Sequence, residues 1–251
     1  MRVFAVVGVT RSGKTKTIEH IIRELRRRKY TVGSVKDIHF EQFAMDTPGT
    51  NTDRHHRAGS QLVTARGLEE TDVLYKERLQ IRDVLRHYHH DFVVLEGVED
   101  PTIPRILTIG ERGELPQEPD GAVFALSGRL AAELDEYGGL PALSAPDSAE
   151  ELVDLIEAKT FPILPDIPVD CCGACGYDCA TLTAMILRGE ADRSLCPVVS
   201  SPGVRLVIGD EEIPMAPFVQ AILRNAVEGV ARELDGYRPH SKISVQLDPG
   251  E

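Results

Sequence analysis

The segment Gly8–Thr15, with the sequence Gly-Val-Thr-Arg-Ser-Gly-Lys-Thr, most restricts how this 251-residue chain can fold. It directly follows the apolar run Val3–Val7, which predicts a buried strand, and it precedes apolar residues at helical spacing. A glycine-rich turn between a strand and a helix lets backbone N–H groups surround phosphate oxygens at the positive end of the helix. The pattern therefore predicts a binding site for a nucleoside triphosphate, and the alternative is an ordinary glycine-rich turn.

The residue types within this phosphate loop suit that chemistry. The Lys14 side chain can reach the β- and γ-phosphates, and the Thr15 hydroxyl is a ligand for Mg²⁺. Arg11 is near enough to phosphate to assist, although no in-line catalytic base is evident, so we expect slow turnover if any. The predicted nucleotide-binding residues of the loop are Gly8, Thr10, Arg11, Ser12, Gly13, Lys14 and Thr15.

Alternating apolar segments predict an α/β fold. Ile18, Ile21 and Leu25 have the spacing of one helix face, and strands and helices alternate after them. Such alternation is typical of a P-loop NTPase-type domain with a mainly parallel sheet and flanking helices. The predicted strands are 30–35, 91–95, 103–109 and 122–126, and the predicted helices are 16–29, 81–88 and 149–159, the last capped by Ser148.

Glu96 ends the apolar strand 91–95 and is followed by Gly97. Open α/β sheets build their sites at the carboxyl ends of strands, where an acid can reach Mg²⁺ directly or through water. We therefore predict that Glu96 joins Thr15 in holding Mg²⁺. A helix cap or a salt bridge is the alternative role for Glu96.

Charge and hydropathy restrict the partners of the chain. The net charge is −12, with +7 in residues 1–40 and −19 in the rest, which argues against binding to nucleic acid. The basic run Arg23–Lys29 is interpreted as a solvated helix face. No apolar stretch approaches the roughly 20 residues that span a bilayer, and Met1-Arg2 leads into a strand rather than a signal peptide. We expect a cytoplasmic protein without a membrane partner.

Prolines at positions 162, 165 and 168 indicate a stiff, extended linker. The predicted domains are therefore residues 1–160, which contain the phosphate loop, and residues 161–251.

The polar segment 36–60 is interpreted as a functional loop, because long irregular loops in compact domains usually have a function. Its motif residues are Val35, Lys36, His39, Asp46, Pro48, Gly49, Arg54, His55, Ala58 and Gly59. Together with the phosphate loop and Leu95-Glu96-Gly97, they strongly resemble the MobB family of molybdopterin-guanine dinucleotide biosynthesis. The resemblance covers about residues 1–160, with Thr50-Asn51-Thr52 where the family is expected to have Lys-Asp-Ser.

This resemblance implies GTP binding with weak hydrolysis, a homodimer, and assistance to a MobA-type guanylyltransferase or a molybdenum or tungsten enzyme. It also makes Lys36, Asp46 and Arg54 candidate contacts to nucleotide, and His39 and His55 candidate loop contacts. The alternative is that these residues only make ion pairs or hydrogen bonds within the loop. The sequence has no Asn/Thr-Lys-x-Asp tetrapeptide for reading guanine, so ATP stays open as the nucleotide.

All five cysteines lie between residues 171 and 196. Three closely spaced thiolates followed by a distant Cys-Pro are typical of a [4Fe–4S] site, in which each iron takes one thiolate. Structural zinc usually uses two Cys-x-x-Cys pairs, and only Cys172 and Cys175 form one here. We predict Cys172, Cys175, Cys179 and Cys196 as ligands, with Cys171 as the spare or as a substitute for Cys172. Zinc and a redox disulfide are the alternatives.

Residues 170–200 are similar to the small [4Fe–4S] domain of the corrinoid iron–sulfur protein. They depart from it by one residue, because three residues rather than four separate the second and third cysteines. A helix over 180–187, a hairpin from Val204 to Ile213, a helix over 218–234 and an edge strand over 243–247 predict a small α+β domain. Four apolar residues of the longer helix are predicted to be core: Phe218, Ile222, Val230 and Leu234.

Three functions are compatible with these patterns. The first is a GTP-binding accessory protein of molybdenum or tungsten pterin cofactor biosynthesis that carries an iron–sulfur cluster. The second is a nucleotide-gated protein that transfers electrons or a metallocluster. The third is an adaptor in which the cluster has only a structural role.

Overall fold

The computed structural model describes residues 1–39, 43–167, 172–200, 204–209, 211–238 and 242–247. The chain forms two compact units. The first unit comprises residues 1–99, 105–118 and 125–160, and the second comprises residues 100–104, 119–124 and 161–251. Among the described residues, no helix combines the length and the apolar character that crossing a bilayer would require.

The elements of residues 1–160 alternate between strands and helices, as the apolar pattern predicts. In chain order they are β1 (Arg2–Val7), α1 (Lys14–Arg27), β2 (Val32–Lys36), α2 (Asn51–Arg57), β3 (Leu62–Arg66), β4 (Thr71–Tyr75), α3 (Ile81–Leu85), β5 (Phe92–Glu96), β6 (Arg105–Thr108), β7 (Val123–Ser127), β8 (Glu136–Tyr137), β9 (Leu140–Pro141) and α4 (Ala149–Lys159).

Five of these strands form one sheet in the order β2-β5-β1-β6-β7. The pairs β1–β5, β1–β6 and β2–β5 are parallel, and β5 has no exposed residue because neighbours cover both faces. The register aligns Val6 and Lys36 with Glu96, so that three strand ends lie side by side. The predicted α/β fold with a mainly parallel sheet is therefore confirmed.

Helices α1 and α4 are joined by an ion-pair network. Glu24 is buried on α1 and accepts hydrogen bonds from Arg27 at 2.6 Å and from Arg28 at 2.7 Å. The same two arginines bind Glu150 and Asp154 of α4 at 2.8 and 2.6 Å. The basic run Arg23–Lys29 is thus only partly a solvated face, because two of its arginines hold α4.

The predictions for this part of the chain hold only in part. Ser148 is the N-cap residue of α4, as predicted, but its side chain makes no capping bond. The segment 36–60 is not wholly irregular, because α2 begins after Thr50, whose side chain accepts from the Asp53 amide. The hairpins β3–β4 and β8–β9 were not predicted, since strands such as Glu136–Tyr137 are too short for an alternating pattern to be read.

The second unit contains shorter elements. In chain order they are α5 (Cys179–Arg188), α6 (Pro197–Ser200), β10 (Leu206–Ile208), β11 (Glu211–Ile213) and α7 (Pro217–Arg232). Gly189 ends α5 in the left-handed conformation, with φ of 77°. Within this unit the Thr183 hydroxyl of α5 donates to the Thr102 carbonyl at 3.2 Å, and Gly121 leaves room for Ala184.

Three predictions for the second region are wrong. The segment 161–167, predicted as a stiff, extended linker, is instead packed onto the second unit, because Leu164 is fully buried against Leu182 and Cys196. The described residues 242–247 form no strand. The four α7-region residues predicted as core are exposed, since the helix turns its apolar face away from the described part of the unit: Phe218, Ile222, Val230 and Leu234.

Candidate functional site

The phosphate loop connects β1 to α1 in a conformation that few residues can adopt. Gly8 has φ of 142° and Gly13 has φ of 112°, both in the region that favours glycine. Arg11 also has a positive φ, 68°, which is uncommon for a residue with a side chain. Gly13 immediately precedes the first turn of α1, so the free N–H groups of that turn face the loop.

The phosphate loop packs against Thr108, the last residue of β6. The Ser12 side chain is fully buried and its Oγ lies 2.7 Å from Thr108 Oγ1, which donates to the Val7 carbonyl at 2.9 Å. A Cβ on Gly8 would lie 2.3 Å from the Thr108 carbonyl oxygen. The packing of the protein alone therefore sets the loop geometry. Ser12 belongs to this support and does not line the cavity described below.

Glu96 forms the centre of a small polar group. Its Oε1 accepts from Thr15 Oγ1 at 2.9 Å and from Lys36 Nζ at 2.8 Å. Lys14 Nζ donates to the carbonyls of Gly8 and Val9 at 2.7 and 2.6 Å. The alternative role of Glu96, a salt bridge, is present as its pair with Lys36, and the same carboxylate lies beside the hydroxyl predicted to bind Mg²⁺.

These groups line a cavity of about 590 Å³ in the first unit. Seven of the predicted nucleotide-binding residues line it, together with Glu96: Gly8, Thr10, Arg11, Gly13, Lys14, Thr15 and Lys36. The cavity also has lining residues that were not predicted as site residues: Val9, Lys16, Asp37, Gly97 and Glu99. Asp37 could have been found, since it follows the carboxyl end of β2, where such sheets build sites.

Asp37 and His39 are the acid–base candidates along this cavity. Asp37 accepts a two-pronged contact from Arg78 at 3.0 and 3.1 Å, and its backbone N–H donates to the Glu96 carbonyl at 2.9 Å. His39 Nε2 lies 3.9 Å from the Asp37 carboxylate. Their position at the end of β2 follows directly from the β2–β5 register.

Asp46, Arg54 and His55 do not line the cavity. Asp46 Oδ1 instead accepts from the Thr50 and Thr52 hydroxyls at 2.7 and 2.9 Å and from the Thr47 amide at 2.9 Å. These bonds, the Thr50 bond foremost, hold the pKa of Asp46 below its usual value. Asp46 thus organises the turn that starts α2, on which Arg54 and His55 are exposed.

The four predicted ligand cysteines belong to one apolar cluster in the second unit. Cys196 is buried among Leu164, Leu182 and Val198, and the other three cysteines pack against that cluster: Cys172, Cys175 and Cys179. Cys175 Sγ donates to the Tyr177 carbonyl at 3.4 Å. Cys171 lies outside the described residues, so the choice between Cys171 and Cys172 stays a prediction.

Cys179 is the first residue of α5, next to the Asp178 side chain that accepts from the Thr181 amide at 2.6 Å. Burial raises the pKa of the Cys179 thiol, and Cys196 raises it further, whereas hydrogen bonds from the Asp166 and Ile167 amides lower it. Burial outweighs the two amides, so the pKa of this thiol lies above its usual value.

The residue types of this donor set suit an iron–sulfur cluster. The four predicted ligand cysteines share one cluster of apolar residues, and four thiolates could supply one ligand to each iron of a cubane. Among the described residues, no three His, Cys, Asp or Glu side chains are arranged to hold one metal ion.

The oxygen groups at the phosphate loop fit Mg²⁺. Mg²⁺ takes oxygen ligands and keeps several waters, so it is commonly bound by only one or two protein groups together with substrate phosphates. Thr15 Oγ1 and Glu96 Oε1, which lie 2.9 Å apart, are two such groups.

Comparison with known proteins agrees with both halves of this description. Residues 3–125 match the family "Molybdopterin guanine dinucleotide synthesis protein B", MobB, and residues 168–198 match the family "Putative Fe-S cluster". A putative molybdopterin-guanine dinucleotide biosynthesis adapter protein of Methanocaldococcus jannaschii is 26% identical over 255 residues, covering 99% of this chain and 98% of that protein.

Bacillus subtilis provides a shorter relative and a solved structure. A probable molybdopterin-guanine dinucleotide biosynthesis adapter protein of that organism is 25% identical over 146 residues, which is 57% of this chain and 84% of the relative. The crystal structure of Bacillus subtilis MobB has 21% identity and a TM-score of 0.50, covering 61% of this chain and 97% of that one. This likeness supports the fold alone. Residues 3–125 thus match the model of the MobB family, and residues 168–198 match that of the putative Fe–S cluster family.

Proposed function

We propose that this protein is a GTP-binding adapter of molybdopterin-guanine dinucleotide biosynthesis that carries a [4Fe–4S] cluster. The observation that supports this most strongly is the cavity at Lys14, Thr15 and Glu96 in a chain whose relatives are named as adapters of that pathway. Those names favour an adapter over a nucleotide-gated redox or cluster-transfer protein.

In the proposed site the nucleotide phosphates lie against the loop N–H groups, and Lys14 neutralises their charge. Thr15 and Glu96 would hold Mg²⁺, which would supply positive charge to the nucleotide phosphates. Lys36 already contacts the Glu96 carboxylate and so keeps a second cation at this edge of the cavity. GTP is preferred over ATP on the family resemblance alone.

Hydrolysis is proposed to be slow. Arg11 lines the cavity from the phosphate loop, where its charge can stabilise the transferring phosphoryl group. Asp37 is a carboxylate at the edge of the cavity, but its ion pair with Arg78 already occupies it. An efficient GTPase would have a base that is not engaged in an ion pair. We therefore propose that the protein binds the nucleotide rather than turning it over rapidly.

In the second unit, Cys172, Cys175, Cys179 and Cys196 would each bind one iron of the cluster. A bound cluster supplies either one-electron chemistry or a rigid cross-link between the segments that carry the thiols. The protein contributes the apolar surroundings of Leu164 and Leu182, among which Cys196 is buried and the other three cysteines are partly buried.

The proposed partner is a MobA-type guanylyltransferase, and the proposed assembly is a cytoplasmic homodimer. The β3–β4 hairpin presents exposed apolar side chains that a partner could cover, among them Leu62, Leu68 and Val73. A symmetric dimer is the commonest closed assembly. Light scattering at high concentration, with nucleotide and cluster present, would show a monomer if the dimer is wrong.

The functional proposal is tested by adding the anaerobically purified protein to a guanylyltransferase that converts molybdopterin to its guanine dinucleotide. We expect the parent protein to raise the initial rate several-fold, whereas Lys14→Ala does not. Arg23→Gln is the matched control, because it removes a positive charge from α1 away from the cavity. Equal rates with the parent and with no added protein would contradict the adapter role.

A further inference from the structure

The carboxylate of Glu96 is already paired with a cation of the protein. Its Oε1 accepts from Lys36 Nζ at 2.8 Å and from Thr15 Oγ1 at 2.9 Å, so a single oxygen takes both contacts. The sheet register creates the ion pair, because it places Lys36 of β2 directly opposite Glu96 of β5. The Glu96 side chain is only 13% exposed, whereas that of Lys36 is 57% exposed. Of the two side chains, that of Lys36 therefore has the room to move.

The two oxygens at this ion pair have the spacing of neighbouring Mg²⁺ ligands. Mg²⁺ takes an octahedral set of oxygens at about 2.0–2.1 Å, and adjacent corners of such an octahedron lie about 2.9 Å apart. Thr15 Oγ1 and Glu96 Oε1 are separated by 2.9 Å. A metal ion on this pair would share Oε1 with the ammonium of Lys36, and two cations on one oxygen repel each other. Tight binding of Mg²⁺ therefore requires Lys36 to leave Glu96.

The phosphates of a nucleotide are an alternative partner for Lys36, because this residue lines the same cavity as the phosphate loop. Its ammonium is a point charge on a flexible four-carbon stem, so it can exchange one anionic partner for another without a change in the backbone. In the same cavity Lys14 Nζ donates to the Gly8 and Val9 carbonyls. Lys14 and Lys36 thus both contact a protein oxygen that a phosphate oxygen can replace.

We propose that Lys36 competes with Mg²⁺ for Glu96, and that the triphosphate ends this competition by taking the ammonium. Metal and triphosphate then favour each other's binding, because the phosphate draws Lys36 away from the carboxylate that the metal needs. This inference rests on the proposed nucleotide site. It goes beyond that site by giving Lys36 two mutually exclusive partners, Glu96 and the triphosphate.

The competition with metal is tested with Mn²⁺, a paramagnetic substitute for Mg²⁺, added to the anaerobically purified full chain without nucleotide. Electron paramagnetic resonance of the free ion measures how much is bound. Lys36→Met should bind Mn²⁺ about fivefold more tightly than the parent, because Glu96 loses its competing cation. The net charge of −12 also attracts cations elsewhere on the chain. The gain should therefore disappear when Glu96→Gln is combined with Lys36→Met.

The exchange to phosphate is tested by calorimetry with non-hydrolysable GTP and ATP analogues in excess Mg²⁺. Lys36→Met should bind the preferred analogue about tenfold more weakly than the parent, because it loses a charged donor to phosphate. Lys36→Arg keeps the charge and should recover most of this affinity. Arg23→Gln controls for the general loss of positive charge and should behave as the parent in both measurements, because Arg23 pairs with Glu19 on α1.

The opposite signs of the two Lys36→Met effects are the signature of the exchange, because an ion pair with only a structural role would not strengthen triphosphate binding. Unchanged triphosphate affinity in Lys36→Met would show that Lys36 pairs with Glu96 alone. Unchanged Mn²⁺ affinity would show that it does not compete with the metal, and either result would overturn the inference. A parent protein that binds neither analogue would instead contradict the proposed nucleotide site, and the role of Lys36 with it.

Discussion

The glycines of the two sites differ in what surrounds them. A Cβ on Gly8 of the phosphate loop would lie 2.3 Å from the Thr108 carbonyl oxygen, and one on Gly13 would lie 3.3 Å from the Gly128 Cα. Gly176, beside Cys175, and Gly189, at the end of α5, have nothing within 4 Å of such an atom. At Gly8 and Gly13 the neighbouring atoms leave little or no room for a side chain. At Gly176 and Gly189 there is room, and only the positive φ favours glycine.

This difference shows how each site obtains its geometry. The phosphate loop is shaped by a sheet and by buried side chains such as Ser12, which exist without any ligand. The described cysteines lie on short elements around a small apolar cluster, for which the described part of the chain supplies four buried residues. Ligation energy must therefore supply more of the order at the second site, as is common in small metal-binding domains.

The largest expected effect comes from removing one buried ligand. Cys196→Ser should lose the cluster and, because that residue belongs to the core of the second unit, should expose the unit to proteolysis. Nucleotide affinity should stay within about twofold, since the phosphate loop depends on the first unit's packing. The measurements are iron and sulfide content, limited proteolysis and calorimetry. Cys171→Ser is the control, expected to keep its cluster; a full cluster in Cys196→Ser would contradict the ligand assignment.

A matched pair of glycine substitutions tests the comparison directly. Gly8→Ala should cost more than about 3 kcal/mol of folding free energy, because the new Cβ meets a backbone oxygen as well as an unfavourable φ. Gly189→Ala should cost only about 1 kcal/mol, the penalty of the left-handed conformation in open space. Urea unfolding of each region gives both values. Similar losses for the two variants would remove the distinction drawn here.

Lys14→Ala is expected to weaken triphosphate binding by at least about 100-fold, since a charged donor to the phosphates is lost. The fold should persist, because the hydrogen bonds that Lys14 Nζ makes to described residues go to the Gly8 and Val9 carbonyls within the same loop. Calorimetry with GTP and ATP in competition measures the affinity and the base preference together. Saturable binding of equal strength in parent and variant would refute the phosphate-loop assignment.

Glu24→Gln tests the packing that supports the first site. Hydrogen bonds from Arg27, with help from Arg28, lower the pKa of buried Glu24 to about 2. A carboxylate with a lowered pKa stabilises the fold above its unfolded pKa near 4.5, and this contribution fades as the pH falls from about 5 to about 2.

The variant should therefore lose about 2 kcal/mol at pH 7, and the difference should shrink below pH 5. Glu19→Gln is the control, because its pair with Arg23 is exposed and should contribute under about 0.5 kcal/mol. Chemical denaturation at several pH values measures both. A loss that stays constant down to pH 2 would contradict the ionic origin.

The sequence predicts the fold of residues 1–160 better than that of residues 161–251, because residues 1–160 contain longer segments with a regular apolar pattern. Strand β5 and helix α4 have apolar patterns that match their burial, and the glycine spacing of the phosphate loop requires its neighbours to be a strand and a helix. The turn at Asp46 was not predicted. It is held by three hydroxyl and amide donors to one carboxylate, and such hydrogen bonds produce no regular pattern of apolar residues in the sequence.

In the second region the cysteine spacing predicts the grouping of the thiols but not what surrounds them. The apolar face of α7 has the pattern of a core helix and is nevertheless exposed, because the pattern does not say which surface, if any, covers it. The prolines near Leu164 suggest a linker, whereas that side chain is packed with Cys196. A proline restricts the backbone but does not determine what the next side chain contacts.

The most direct test of the account is the composition of the parent protein purified without oxygen and then titrated with GTP. The account predicts about four iron and four acid-labile sulfide per chain, together with one saturable GTP site that is lost in Lys14→Ala and kept in Cys196→Ser. Stoichiometric zinc without sulfide, or GTP binding that disappears with the cluster, would contradict the claim that the protein has two independently built sites.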